Sequence, residues 1–393
     1  MKQHGALDTT WLLVAVLAAL CLLTGRPAHA QPAKVRGATC AHRPLTLSSW
    51  TIPQSRPSSG WWPLAVSGER VVMVHERTYQ PVGPEPITMA LAVAGSPQFR
   101  PIKPGAYPPF GVLQRWQLSW PWLVGVVDEQ ALPGPVDWKL WLGNVQSGQH
   151  VVLDRGNNAS ADPTAPMRAF PDFDVAGGRV VWTQTSYSLR PGGPVTEHIA
   201  LYDLASHRTT MLAISEPNSR ETYANATISG SRVVWERSTT FACTHQHCPN
   251  HLIDLQLYDL TSHRLATLTQ SSFQRGSSFE PGLWGNDLVF LHGYDANAGG
   301  QLLLVDLSHR VSGHHTFWWQ RYRYRALSRG SAIELVVRDG LVAWDGGMAD
   351  LVGGGSMSLS IGAIQLSGGH ALVLQRSPLE PFILRQVLHR CST

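Results

Sequence analysis

The stretch Gly230-Ser-Arg-Val-Val-Trp235 decides the fold of this chain, because similar phrases occur five more times in its 393 residues. Each copy begins near a turn and runs into β-branched or aliphatic residues, and most copies end on a bulky apolar residue. Between the third positions of successive copies the spacings are 52, 57, 53, 55 and 54 residues. Repetition at a nearly constant interval indicates an architecture built from one repeated unit. The other five copies are Gly68-Glu-Arg-Val-Val-Met73, Trp120-Pro-Trp-Leu-Val-Gly125, Gly177-Gly-Arg-Val-Val-Trp182, Gly285-Asn-Asp-Leu-Val-Phe290 and Asp339-Gly-Leu-Val-Ala-Trp344.

A second phrase follows the first in most repeats. It is an apolar strand pattern that ends at Ser-Gly or Ser-His and leads into another strand pattern, as in Leu257-Tyr-Asp-Leu-Thr-Ser-His263 and then Leu265-Ala-Thr-Leu268. This order of strand formers, turn residues and strand formers predicts a β-hairpin. The first and last repeats carry weaker versions, at Ala90-Leu-Ala-Val93 and Ser360-Ile-Gly-Ala-Ile-Gln-Leu-Ser-Gly368, as expected of terminal repeats.

Repeats that contain only strand patterns predict the blades of a β-propeller. We therefore expect an all-β, six-bladed β-propeller with four-stranded antiparallel blades. Charged residues make up only 15% of the chain, which suits strands that are buried on both faces. The predicted domains are a signal peptide over 1–30, a lead-in over 31–44 and one propeller over 45–393. This leaves no room for a separate catalytic domain.

Gly230-Ser-Arg-Val-Val-Trp235, followed by Leu257-Tyr-Asp-Leu-Thr-Ser262, resembles the repeats of the TolB-like six-bladed propellers found in bacterial envelopes and exported proteins. The resemblance spans roughly residues 45–390 and implies the fold. The chain differs from that family by placing Ser-His where the turn usually has Ser-Gly or Thr-Gly. It also lacks the Pro-x-x-Ser-x-Asp-Gly phrase and the amino-terminal domain of TolB, so no role in envelope assembly is implied.

The N-terminal sequence predicts export. An apolar run from Trp11 to Leu23 follows Lys2 and precedes the small-x-small cleavage pattern Ala28-His-Ala30. The run is too short to span a bilayer comfortably, although an uncleaved anchor is the alternative. After signal removal we expect no integral membrane span, and a location outside the cell or in the envelope or periplasm.

Cysteine usage fits an oxidising compartment, because four cysteines remain after the predicted cleavage. A closed ring brings the two chain ends together, which predicts a disulfide between Cys40 and Cys391. The spacing of Cys243 and Cys248 predicts a second, local disulfide. These two cysteines flank Thr-His-Gln-His, and zinc binding is the alternative there, but the spacing is poor for one tetrahedral centre.

The charge distribution excludes two classes of partner. The formal net charge is +4 and there are no blocks of Lys or Arg, so nucleic acid and anionic membrane surfaces are not expected.

Polar residues soon after the first phrase are the candidate binding residues, because equivalent positions of a propeller lie at similar radii. Carboxylates that converge at a channel mouth can bind a cation or perform acid–base chemistry. Water-facing strand ends are the alternative interpretation. The candidates are Glu76, Asp128, Gln184, Glu236, His292 and Asp345.

The sequence favours a non-catalytic binding or scaffolding protein. It has no Gly-x-Ser-x-Gly nucleophile motif, and we expect no catalytic residues, no metal ligands and no cofactor. The expected partner of the monomer is a protein or envelope component, with a glycan as an alternative. A lactonase- or glycosidase-like hydrolase that uses channel calcium or a carboxylate pair also stays open. So does a lectin-like propeller that presents exposed tryptophans such as Trp61 or Trp319.

Overall fold

The chain folds almost entirely into β-strands. The computed structural model describes residues 46–52, 60–75, 86–129, 137–158, 167–187, 195–217, 219–241, 251–294, 299–313, 315, 317–332, 335–345, 347–351, 356–358, 364–367, 370–373 and 383–388. One short 3-10 helix, Trp318–Arg321, lies in this described part. The strands are β1 (Thr46–Thr51), β2 (Trp61–Ser67), β3 (Arg70–His75), β4 (Thr88–Val93), β5 (Arg100–Pro101), β6 (Val112–Ser119), β7 (Trp122–Asp128), β8 (Asp137–Asn144), β9 (His150–Asn157), β10 (Met167–Arg168), β11 (Asp172–Ala176), β12 (Arg179–Tyr187), β13 (Val195–Asp203), β14 (Arg208–Ile214), β15 (Glu221–Ser229), β16 (Arg232–Thr240), β17 (His251–Asp259), β18 (Arg264–Thr267), β19 (Ser277–Trp284), β20 (Asp287–Gly293), β21 (Gly300–Arg310), β22 (Tyr322–Ala332), β23 (Leu335–Arg338), β24 (Leu341–Trp344), β25 (Gly347–Asp350), β26 (Ser356–Ser358), β27 (Ile364–Ser367), β28 (His370–Val373) and β29 (Ile383–Leu388).

The strands form antiparallel sheets of consecutive neighbours. Blade 1 is β2–β5, blade 2 is β6–β9, blade 3 is β10–β14, blade 4 is β15–β18, blade 5 is β19–β22 and blade 6 is β23–β26. A closing sheet has the order β1-β29-β28-β27. The predicted all-β propeller of four-stranded antiparallel blades is confirmed, with six four-stranded sheets. Blade 3 is the exception, with five strands, because β10 and β11 both pair with β12. The described residues thus form seven sheets, six of four strands and one of five.

The innermost strands join the sheets into a ring. Each one contacts the next in the cyclic order β2, β6, β11, β15, β19, β23, β27 and back to β2. Side chains that face inward from these strands therefore surround a central channel, which is where propellers commonly place ligand sites.

The closing sheet is the one that the repeated phrase does not mark. Its outermost strand, β1, comes from the start of the chain and pairs with β29 near the end, with Thr46 opposite Leu388 and Thr51 opposite Ile383. The segment 360–368 was expected to end the sixth repeat, but it contributes the innermost strand β27 of this sheet instead. The ring thus holds one sheet more than the phrase has copies.

The first phrase has the same structural role in all six blades that carry it. The second strand of each blade begins at the third position of the phrase, as at Arg70 in β3 and Arg232 in β16. The aromatic side chains Trp182, Trp235 and Phe290 at its last position are fully buried. They pack with residues of the preceding blade, so these aromatic side chains lie between neighbouring sheets.

Blade 2 fills the same space from a different strand. Its phrase ends on Gly125, and the buried ring of Trp116, from the innermost strand β6, lies where a side chain at position 125 would be. A Cβ on Gly125 would be 2.0 Å from Cδ2 of Trp116. The glycine is therefore required by a close approach of the tryptophan and not by backbone conformation.

The Ser-His turns of the second phrase are structural. In one of them Asp259 accepts hydrogen bonds from the backbone amides of Thr261 and Ser262. The amide of Ser262 is also the main cause of the lowered pKa of Asp259. His263 takes the left-handed conformation that glycine usually supplies in this turn, with φ 55°. Asp203 and His207 form the same turn in blade 3, whereas the third Ser-His pair, Ser308-His309, lies within β21.

The predicted signal peptide and lead-in, and the four cysteines Cys40, Cys243, Cys248 and Cys391, lie outside the described residues. Both disulfides therefore stay predictions. Within the described ranges, no helix has the length and apolar character needed to cross a bilayer.

Candidate functional site

The central channel contains a cavity of about 630 Å³. Most of its lining comes from the innermost strands of blades 2 to 6, and the rest from the second strand of blade 6 and the residue after it. In four of these blades the lining residues lie seven and five positions before the third residue of the phrase. These pairs are Arg115 and Gln117, Asp172 and Asp174, Asn225 and Thr227, and Glu280 and Gly282.

One side of the cavity is crossed by an ion pair. Arg338, on β23 of blade 6, reaches Asp174 on β11 of blade 3, with Nη1 at 2.6 Å from Oδ1. The same guanidinium donates to Oε1 of Gln117 on blade 2 at 3.1 Å and to the carbonyl oxygen of Val175. Both side chains of the pair are 15% exposed, so the contact is largely shielded from water. Arg338 therefore connects opposite parts of the ring.

Asp174 extends this connection to blade 4. Its Oδ2 accepts hydrogen bonds from Oγ1 of Thr227 at 3.0 Å and from the amide of Ile228 at 2.9 Å. Its Oδ1 accepts from the amide of Val175 at 2.9 Å, besides the bond from Arg338. A carboxylate with this many donors is fixed in position.

The remaining charges of the lining are mostly acidic. Arg115 pairs with Asp172 at 3.0 Å, and both side chains are about half exposed. Glu280 and Asp345 also line the cavity. Four carboxylates thus share the cavity with two guanidiniums, although the protein as a whole is formally positive.

Two residues of the lining have unusual backbone conformations. Asn225 and Glu280 lie in bulges of β15 and β19 and have φ of 50° each, a region that non-glycine residues rarely occupy. One carboxylate oxygen binds both of these residues. Oε1 of Glu236 accepts hydrogen bonds from Nδ2 of Asn225 at 2.8 Å and from the backbone amide of Glu280 at 2.5 Å. Left-handed residues of this kind concentrate at binding sites, where surrounding contacts maintain them.

Glu236 acts from behind the channel wall. It is only 6% exposed, and this burial raises the pKa of its carboxyl group, while the hydrogen bonds from Asn225 and Glu280 partly oppose the shift. The negative charge of Asp172 raises the pKa further. Glu236 is therefore a positioning residue for the channel.

The structure separates the residues that the sequence placed in one ring. Asp345 lines the cavity and Glu236 supports it, but Asp128 is buried at the end of β7, outside the lining. Gln184 is 1% exposed in β12, where its Oε1 accepts from Arg168 and from His198 at 2.5 Å. His292 lies in β20 against Trp319. Glu76 is outside the described residues.

Asp128, Gln184, Glu236 and His292 do not face the channel together because they continue the second strands of their blades, whereas Asp345 directly follows such a strand. The channel is lined mainly by the strand before the phrase. A search for polar residues seven positions before the third residue of each copy would have found Arg115, Asp172, Asn225 and Glu280 from the sequence.

Two further expectations concern metals and tryptophans. No cluster of three or more His, Cys, Asp or Glu side chains with metal-binding geometry occurs among the described residues. Trp318 and Trp319 were considered as an exposed sugar platform, which is wrong, because they are only 9% and 6% exposed and pack against Phe290. Of the two tryptophans at the start of β2, Trp61 is half-buried and Trp62 is 36% exposed.

No protein-family model and no curated protein sequence matches the chain. The TolB-like family is therefore not shown, and that resemblance stays a prediction.

Three solved structures with a similar fold come from enzymes. An acylaminoacyl peptidase from Pyrococcus horikoshii is 8% identical with a TM-score of 0.50, and the match covers 85% of this chain and 52% of that one. A prolyl endopeptidase is 13% identical with a TM-score of 0.47, over 83% and 45% of the two chains. This chain thus spans about half the length of both peptidases. An oligogalacturonate lyase in complex with manganese is 10% identical with a TM-score of 0.48, over 88% and 97%. At such identities the likeness concerns the fold alone: the chain is a β-propeller.

Proposed function

We propose that this protein is an exported binding protein whose central channel takes a positively charged group, such as an amine, of a partner protein or envelope component. The observation that carries this proposal is the acidic lining of the cavity. Four carboxylates and two guanidiniums face a space of about 630 Å³, in a protein whose formal net charge is +4.

The electrostatics favour a cation for a simple reason. Arg115 and Arg338 are each paired with an aspartate of the lining, so their charges are already balanced. The lining as a whole holds four carboxylates, Glu280 and Asp345 included, and two guanidiniums. A cleft whose lining carries more negative than positive charge has a negative electrostatic potential and attracts cations.

The cavity wall is also preorganised. Glu236 fixes the bulges that present Asn225 and Glu280, and Arg338 ties blade 6 to blades 2 and 3. A wall that is already ordered loses little conformational entropy when a ligand binds.

The test is calorimetric titration with a short lysine-rich peptide at low ionic strength. We expect saturable binding that weakens about tenfold in Glu280→Gln and in Asp345→Asn, since each removes one negative charge from the lining. Glu69→Gln, which removes an exposed carboxylate outside the cavity, is the matched control and should bind as the wild type does. If all three variants bind the peptide equally weakly, the loss of affinity reflects the net charge of the protein and not the cavity. That result would refute the proposal.

A glycosidase-like hydrolase is the second candidate. It is favoured by the presence of Asp172, Glu280 and Asp345 in one cavity beside Trp344, because glycoside hydrolysis uses a pair of carboxyl groups. Release of reducing ends from a panel of arabinans, pectins and xylans, abolished in Glu280→Gln, would establish this activity in place of binding alone. If no polysaccharide of the panel is cleaved, the candidate fails for these substrates.

A further inference from the structure

A second cavity, which we call the blade 5 cleft, lies apart from the channel lining. It has a volume of about 160 Å³, well above the roughly 10–15 Å³ that a single water needs. Its walls come from the loop between β18 and β19, the adjoining ends of β19 and β20, and the segment 315–321. None of its lining residues lines the channel cavity.

The charge of this cleft is opposite to that of the channel. Arg275 and Arg321 line it, and no Asp or Glu does. Neither guanidinium forms an ion pair with a carboxylate of the described residues. Asp254 contacts two lining residues from outside the lining: its Oδ1 accepts from Oγ1 of Thr269 and from the amide of Ser271, at 2.7 and 2.8 Å.

A buried donor also belongs to the cleft. Trp318 lines it and is 9% exposed, and its Nε1 is buried without a hydrogen-bond acceptor in the described part of the chain. A buried N–H group without an acceptor costs free energy that a bound acceptor would recover.

The aromatic wall of the cleft is rigid. Phe317 and Trp319 stack with ring centroids 4.5 Å apart, and His292 lies 4.3 Å from Trp319. Burial lowers the pKa of His292, so this imidazole is neutral near pH 7 and adds no charge of its own. The lining also contains His315, whose Nε2 lies 3.1 Å from the carbonyl oxygen of Val311, and the two arginines are its guanidinium groups.

We propose that the blade 5 cleft binds a small oxyanion, a sulfate- or phosphate-type group, through Arg275 and Arg321 with the Trp318 N–H as a further donor. Guanidinium groups pair with such oxyanions through parallel hydrogen bonds, and a wall of donors without carboxylates offers nothing to a cation. The ligand is either the free ion or the charged end group of a larger molecule.

The test is isothermal titration of the full mature protein with sodium sulfate and sodium phosphate at constant ionic strength. We expect saturable binding of one ion, weakened about tenfold or more in Arg275→Gln and in Arg321→Gln. Arg323→Gln is the matched control, because it removes the same charge from an exposed position outside the cleft. Its affinity should stay within about twofold of the wild type.

Two more measurements complete the test. Trp318→Phe keeps an aromatic ring and both arginines but removes the indole N–H donor. It should weaken binding of the anion several-fold. Glucose 6-phosphate, with glucose as the neutral control, tells whether the ligand is a free ion or the end group of a larger molecule. If glucose 6-phosphate binds more tightly than inorganic phosphate, the site takes a phosphoryl end group. If it binds more weakly, the site takes the free ion. The proposal is overturned if neither anion binds saturably, if Arg323→Gln loses as much affinity as the two cleft variants, or if glucose binds as well as its phosphate.

Discussion

The ion pair between Arg338 and Asp174 should contribute measurably to the free energy of unfolding. Replacing Asp174 should cost more stability than replacing Arg338. Asp174→Asn removes the charge that faces the guanidinium. The acceptors that remain for this largely buried cation are Gln117, the Val175 carbonyl and the amide oxygen of the new side chain, and none of them is charged. Loss of one partner of a buried pair costs about 3 kcal/mol. Arg338→Met should cost less, about 1.5–2 kcal/mol, because Asp174 keeps the donors of Thr227, Ile228 and Val175.

The assay is a double-mutant cycle measured by guanidinium chloride unfolding of the wild type, both single variants and the double variant. We expect a coupling free energy of about 1–2 kcal/mol, within the range for residues in one hydrogen-bond network. If the two losses add to within about 0.5 kcal/mol, or if Arg338→Met is the more destabilising variant, the reasoning is refuted.

Three further predictions concern other parts of the ring. Burial raises the folded-state pKa of Glu236, so the ionised carboxylate opposes folding, and Glu236→Gln should become more stable relative to the wild type as the pH rises from about 4.5. Urea unfolding of both proteins at pH 4 and pH 8 measures this difference in the free energy of unfolding. A difference that does not change with pH would contradict the prediction. Gly125→Ala should cost about 3 kcal/mol or more because its Cβ would meet the Trp116 ring. Gly230→Ala, with φ of 58° and open space around its Cβ, is its control and should cost only about 1–2 kcal/mol in the same unfolding assay. A chain that begins at residue 53 lacks β1 and leaves β29 unpaired on one side, so it should lose cooperative thermal unfolding by circular dichroism, whereas a chain that begins at residue 45 should keep it.

The repeated phrase predicted most of the fold because each copy lies where local chemistry alone determines the structure. A turn such as Gly230-Ser231 followed by Val233, Val234 and Trp235 specifies the second strand of a blade and its buried face. The closing sheet was not predicted because its strands carry no copy of the phrase and its edge comes from the other end of the chain. Pairing between β1 and β29 depends on the closed ring and leaves no local signal.

The candidate site was predicted less well, for a related reason. Glu236 and Asp345 were found because they follow the phrase directly, but the role of Glu236 depends on bulges in β15 and β19 that bring Asn225 and Glu280 to one carboxylate. The partnership of Arg338 with Asp174 joins residues far apart in sequence, across the ring. Neither follows from spacing within a repeat.

The pairing of β1 with β29 has a consequence for the order of events during synthesis. Trp50 is made well before its partner Leu384, which lies 334 residues later in the chain. Until then β1 has no neighbour and β2 lacks its contact with β27, so the ring cannot close while the chain is growing. Contacts this distant in sequence also form slowly. Until β29 has been made, the growing chain therefore has open sheet edges, and unpaired edges can pair with other chains and aggregate.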